Sequence, residues 1–253
     1  MAFNRAIGKA TFGKGATTPW RCPRCNDSKL RPKEKTFVVL ETRDSRDAKG
    51  HEAWDPTWTI ERFSGVLECT NPDCADVVAV CGQAGVEEAY DEEEGPVLVQ
   101  SLEPYFFLPA PDLVDVPADA SDELKHELRS AFSLYWSDPA ACANRIRSAM
   151  ELLLTHLGVK RYDSAKAGSP RKALALHKRI QILGEKKSDL ADSIMAVKWI
   201  GNAGSHTGSI SREDALDGFQ LLDHVLHEVF SQQSAEIKKL KHKINKKKGP
   251  VSK

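Results

Sequence analysis

No sign of charge prevails in this chain. Its 36 lysines and arginines balance 36 aspartates and glutamates, so overall charge singles out no nucleic acid, membrane or acidic partner. Long apolar runs are missing too. Nothing approaches the roughly 18 apolar residues that a membrane span needs. The opening stretch, "MAFNRAIGKATFGKG", lacks the apolar centre of a secretory signal. The expected compartment is therefore the cytoplasm, where thiols stay reduced. Each of the six cysteines then reads as a metal ligand or a free thiol before a disulfide. Also absent are a G-x-x-x-x-G-K-[ST] phosphate loop and a G-x-S-x-G nucleophile elbow. Neither chemistry has a place here.

The residues that are present fall into two grammars. Residues 1–104 hold five of the six cysteines and short Val-rich runs: "TFVVLE", "WTIERFSGVLEC", "DVVAVCG" and "PVLVQSL". These are bounded by Pro, Gly, Asp and Asn and read as β-segments. Residues 105–120 form a Pro-rich linker, with Pro109, Pro111 and Pro117 favouring an extended, semi-rigid chain. Ser121 is the expected N-cap of the first bundle helix. Residues 121–232 carry helical periodicity in five stretches: 122–136, 139–156, 170–183, 188–200 and one starting at 211. The second has Ile146, Met150, Leu153, Leu154 and Leu157 at three- and four-residue spacing. Short connections argue an up-and-down bundle. The fold class is α+β, a β-rich zinc ribbon followed by a five-helix bundle. Residues 233–253 make a Lys-rich tail, with eight lysines and no acid from Lys238 onward. A frayed, solvated end explains it; so does an electrostatic arm for nucleic acid, because clustered lysines neutralise phosphates.

The cysteines carry the strongest signal. "CPRC" sets Cys22 and Cys25 two intervening residues apart, and "CTNPDC" sets Cys69 and Cys74 four apart. Each is a tight turn that aims two sulfurs at one point. Four thiolates at tetrahedral corners are a closed zinc site, which holds a fold and leaves no open position for chemistry. The 43 residues between the knuckles exceed a compact ribbon, so an inserted hairpin or loop is expected. Cys81 and His51 are alternative ligands. Cys81 in "VAVCG" reads first as a strand thiol, and Cys142 as a small core residue.

In the helical half, "NRIRSAMELLL" places Arg147 and Glu151 four apart on one face, where they can pair. "AVKWIGNAGSH" then interrupts helical periodicity with Gly201, Asn202 and Gly204 before His206. Gly201 is positioned to end a helix in the left-handed region. A hinge is expected there, with His206 pinning the turn, to Glu151 or to a carbonyl. His224 and His227, three apart, resemble a helical metal pair, but helix-boundary positions explain them better. His156 and His177 read as ordinary interface or surface residues.

"RSAMELLL", "VKWIGNAGSH" and "SREDAL" together resemble the domain-of-unknown-function 4145 family over about 105–232. An N-terminal cysteine-knuckle region often accompanies that domain. The family is similar to the HEPN superfamily of helical bundles, many of them metal-independent ribonucleases in defence and toxin systems. It also occurs in restriction-system proteins. The superfamily's nuclease motif is an arginine, an asparagine, three residues and a histidine. Asn202 and His206 match; Gly201 stands in the arginine's place, and Lys198 lies one turn earlier.

Three functions fit these residues. The first is a zinc-ribbon and helical binding or adaptor protein, contacting RNA, DNA or a nucleic-acid-processing partner in defence or restriction, and homodimeric through its helices. The second is an endoribonuclease with His206 as acid/base, Asn202 as orienter and Arg147 or Lys198 as phosphate clamp. The third is a protein–protein module using the acidic run 91–94 and exposed prolines. The residue mismatch at Gly201 favours a protein without catalysis.

Overall fold

The Val-rich segments form five antiparallel strands. They are β1 (Leu30–Pro32), β2 (Val38–Glu41), β3 (Ile60–Cys69), β4 (Val77–Asp91) and β5 (Gly95–Leu108). This computed structural model describes residues 3–163, 171–206, 210–230 and 232–250, and the backbone alone at 205–206 and 232–239. The chain divides into two compact units, 2–113 with 132–138, and 114–131 with 139–253.

In the first unit the order is β1-β3-β4-β5, with β2 also on β3. β1 and β2 share one edge of β3, with Leu30 opposite Cys69 and Val38 opposite Ser64. Between them Lys35 takes a left-handed φ of 62° and the Phe37 ring lies flat over Gly65. Any Cβ there would meet that ring at 2.6 Å. The insertion expected between the knuckles is therefore β2, helix α2 (Arg43–Ala48), a 3-10 turn (Pro56–Trp58) and most of β3. β4 and β5 are one long hairpin. Its turn is the acidic run: Asp91 accepts the Glu93 and Glu94 amides at 2.8 and 3.0 Å, and Gly95 takes φ 78°. Those amides hold the Asp91 carboxyl below its ordinary value. Residues 105–108, read as the start of a linker, complete β5.

Trp20 centres this unit's core. Its ring meets Phe12, Phe107 and Trp136 edge-on at 5.5, 5.0 and 5.8 Å between centroids, an arrangement aromatic quadrupoles favour. Its Nε1 donates to the Ile7 carbonyl at 2.9 Å. The Tyr135 hydroxyl donates to the Gly8 carbonyl at 3.0 Å, fixing the short helix α1 (Ala6–Lys9).

The second unit is helical. α3 (Asp122–Tyr135) starts at the expected cap, where Ser121 Oγ accepts the Leu124 amide at 3.3 Å. Its last turn belongs to the sheet unit. α4 (Pro139–His156) buries Ile146, Met150, Leu153 and Leu154. It closes through Gly158 at φ 75°, with Val159 N reaching Leu154 O at 2.9 Å, a Schellman closure. α5 is Leu176–Gly184, α6 Ser188–His206, α7 Arg212–Phe230 and α8 Gln232–Lys247. Ser211 and Asp214 cap α7 reciprocally, at 2.8 and 3.2 Å.

Two expectations need correction. The described residues hold eight α-helices rather than five. And α6 does not break at Gly201: it runs unbroken to His206. The weak helical period of the Lys-rich tail, through Ile237, Leu240 and Ile244, continues as helix to Lys247. The expected start at 170 lies outside the described residues, and α5 begins at Leu176.

Candidate metal centre and the α6 stripe

The β1–β3 pairing carries the two knuckles together. Leu30 faces Cys69 across the ladder, and Thr70 N reaches Lys29 O at 2.9 Å. Each knuckle is wound by its own backbone. Asn26 N reaches Cys22 O at 2.8 Å, and Cys74 N reaches Asn71 O at 3.1 Å. Asn26 and Ala75, one residue past each second cysteine, take φ 51° and 47°. The four sulfurs of Cys22, Cys25, Cys69 and Cys74 lie within 4.8 Å of one another. Cys22 Sγ is 3.9 Å from Cys74 Sγ, and Cys25 Sγ is 3.7 Å from Cys69 Sγ. A tetrahedral ion with Zn–S of ~2.3 Å needs sulfurs about 3.8 Å apart. Two of the separations match that spacing, and the rest lie close enough for one ion to draw all four sulfurs together.

The electrostatics are uneven. Burial pushes the Cys22 and Cys69 thiols up, Cys69 to about 12. The Ser28 and Asp27 amides bring Cys25 down to about 7. Metal binding deprotonates every thiol it takes, so amides aimed at sulfur favour the thiolates a cation requires. His51 and Cys81 stay outside. His51 Nδ1 accepts the Ala53 amide at 3.1 Å, and Cys81 sits mid-strand opposite Ser64 and Phe106. Cys142 is buried in α4.

In the helical unit, Arg147 Nη1 lies 3.3 Å from Glu151 Oε1, as the spacing predicts. The pair is half-exposed and stabilises little. α6 packs on α4 through its glycines. A Cβ at Gly201 would meet Arg147 Cβ at 2.9 Å and Ala143 O at 3.1 Å, and one at Gly204 would meet Ala140 O at 3.0 Å. Gly201 thus serves close approach, and continuous helix replaces the expected left-handed cap. Lys198 does not reach toward Gly201: its Nζ lies 3.5 Å over the Trp199 ring. Arg147 is the cation beside that position. Asn202 and His206 lie four apart on one helix, hence on one face. The side chain of His206 lies outside the described residues. His227 Nε2 approaches Asp223 Oδ1 at 3.8 Å, an acid neighbour one turn away on the same helix. Burial pushes the Asp223 carboxyl up.

Arg179 is a residue whose role sequence patterning does not announce. It is 4% exposed and donates to Glu151 O, Thr155 Oγ1 and Val159 O at 3.0, 2.9 and 3.2 Å. These tie the last turns of α4 to Val159 just beyond it, where the helix dipole favours a cation. Its position was legible: Leu176, Arg179, Ile180 and Leu183 share one stripe. Arg179→Met should cost about 2 kcal/mol, the charge-assisted bonds lost at Thr155 Oγ1 and Val159 O outweighing relief of a buried charge. A urea titration reads this as a lower midpoint with unchanged slope.

Fold and centre together define a two-unit α+β protein, a knuckle-bearing antiparallel sheet joined to a helical bundle, with a closed four-thiol metal-type cluster. The helical half carries the domain described as Domain of unknown function (DUF4145), whose family model matches residues 129–247. The resemblance read from "RSAMELLL" and "VKWIGNAGSH" is thereby shown, and the match takes in α8. The sheet half matches Domain of unknown function (DUF8608) over residues 10–110. No curated protein and no solved structure matches the chain. Among the described residues, no helix is long and apolar enough to cross a membrane.

Proposed function

We propose that the chain is a zinc-stabilised binding protein whose helical half contacts nucleic acid, or a partner that processes it. The four converging sulfurs carry the first part: a tetrahedral all-thiolate set selects zinc among common divalent ions and leaves no catalytic position. The zinc would be held by Cys22, Cys25, Cys69 and Cys74 and would tie β1 to the far end of β3. For the second part, α8 presents Lys241, Lys243, Lys246 and Lys247 on an exposed helix, followed by Lys248, with no acid after Glu236. Such a run neutralises phosphates at a salt-dependent gain. Filter retention of labelled RNA and DNA at low salt tests it. Lys246→Gln/Lys247→Gln/Lys248→Gln should weaken binding about tenfold and flatten the salt slope by roughly 2–3. Retention of neither nucleic acid would end the nucleic-acid reading.

One observation favours a second reading, the HEPN-type ribonuclease. Unbroken α6 puts Asn202 and His206 on one face, and Arg147 of α4 adjoins the place where the superfamily's arginine would stand. His206 would move the proton at the 2′-oxygen and Arg147 would meet phosphate charge. Equal background cleavage of RNA by the natural chain and His206→Ala rules this out.

A further inference from the structure

Among the described residues, α6 holds one large apolar side chain that its core does not use. Leu190, Ala191, Ile194 and Val197 are buried, yet Trp199 is 56% exposed. Its ring has a cation on one face and an imidazole nearby. Lys198 Nζ stands 3.5 Å over the ring, and the His177 ring of α5 stands 6.4 Å away, tilted by 56°. The segment that supplies His177 is basic: apart from buried Arg179, residues 171–187 contain five lysines or arginines and one acid, Glu185. No other large apolar side chain among the described residues of α5 or α6 is exposed. A single exposed aromatic on these two helices, beside a cation, is unlike a protein-docking patch, which gathers several apolar anchors. It is what a base-stacking contact requires: a π-face that accepts any base, with cations for the flanking phosphates.

We propose that Trp199 stacks one unpaired base of a single-stranded nucleic acid, with His177 beside that base and Lys198 taking an adjoining phosphate. Lys198 leaves the ring for the phosphate, and the base takes the place its ammonium held. The site rests on the nucleic-acid reading above but is separate from α8. Duplexes are poor ligands, because their bases are already stacked.

The test uses the full chain and a 12-nucleotide oligouridine, with the same length of duplex RNA and uridine monophosphate as the other arms. Tryptophan fluorescence should fall on adding the oligomer, and Trp199→Phe should remove most of that change while keeping most of the affinity. Trp199→Ala should weaken the oligomer about tenfold and the duplex less than twofold. Lys198→Gln should lower the salt slope by about 0.7. Trp199 is exposed, so its variants should fold, which circular dichroism checks. Equal loss of duplex and oligomer affinity in Trp199→Ala would overturn the stacking proposal, as would no loss in either. Monophosphate binding as tight as the oligomer would overturn it in favour of a free-nucleotide pocket. If Trp199→Ala changes nothing while the triple α8 variant abolishes retention, the proposal falls and nucleic-acid binding stands. If no nucleic acid binds the natural chain, both fall.

Discussion

Cys69→Ser should empty the proposed zinc site and collapse the knuckle end of the sheet. Cys69 is buried and ends β3 opposite Leu30, so it serves the ladder and the cluster at once. A serine hydroxyl does not replace a thiolate at zinc, and three sulfurs leave the site open to water and exchange. Structural zinc in small domains contributes roughly 10–16 kcal/mol of apparent binding energy. This sheet also has the Trp20 core to hold it, so only part of that should appear as lost stability. We expect zinc content to fall from about one per chain to none. Stability should drop by about 4 kcal/mol or more, among the largest effects of a point substitution. Elemental analysis and thermal melting of the same preparations measure both. Cys81→Ser is the control: a strand thiol outside the cluster, whose variant should keep its metal. A Cys69→Ser chain with full zinc and an unchanged melt would refute the structural role, and chelator insensitivity of the natural chain would do so independently.

The four-cysteine cluster was legible because its information is local. Two short cysteine turns announce themselves by spacing, whatever lies between them. Ser121 and the 139–156 helix were legible for the same reason: a cap and a periodic stripe need only nearby residues. The opposite outcomes have one cause. Gly201, Asn202 and Gly204 read as breakers because each costs a helix up to about 1 kcal/mol. That local cost is overridden by packing against Ala140, Ala143 and Arg147 of α4, which lie nearly sixty residues away. The helical period of α8 was legible only weakly, because its clustered like charges destabilise an isolated helix. Tyr135 and Trp136 looked like the end of a bundle helix, and nothing nearby says that they complete the core around Trp20. Arg179 hid differently, as a cation in an apolar stripe whose partners are carbonyls invisible in sequence.

Gly201→Val should separate α4 from α6. The sign follows from two opposed effects. Replacing a helical glycine by alanine gains about 1 kcal/mol in propensity. Against this, a Cβ meets Arg147 Cβ at 2.9 Å and Ala143 O at 3.1 Å. Neither atom can yield cheaply, because one is a carbonyl and the other is fixed to the α4 backbone. Overpacking of this kind costs about 1–3 kcal/mol, so Gly201→Ala should be destabilising by about 1 kcal/mol. Valine adds two methyls in the same space and gains less propensity, so its cost should reach about 3 kcal/mol or more. Gly184→Ala is the comparison, since its Cβ would only touch Ala191 Cβ at an ordinary 3.5 Å. Denaturant titration should rank the three with Gly184→Ala near the natural chain and Gly201→Val far below it. A Gly201→Val chain as stable as the natural one would mean that α6 does not lie against α4 here. Arg147 would then lose its place beside Gly201, and the ribonuclease reading would lose the cation that adjoins that position.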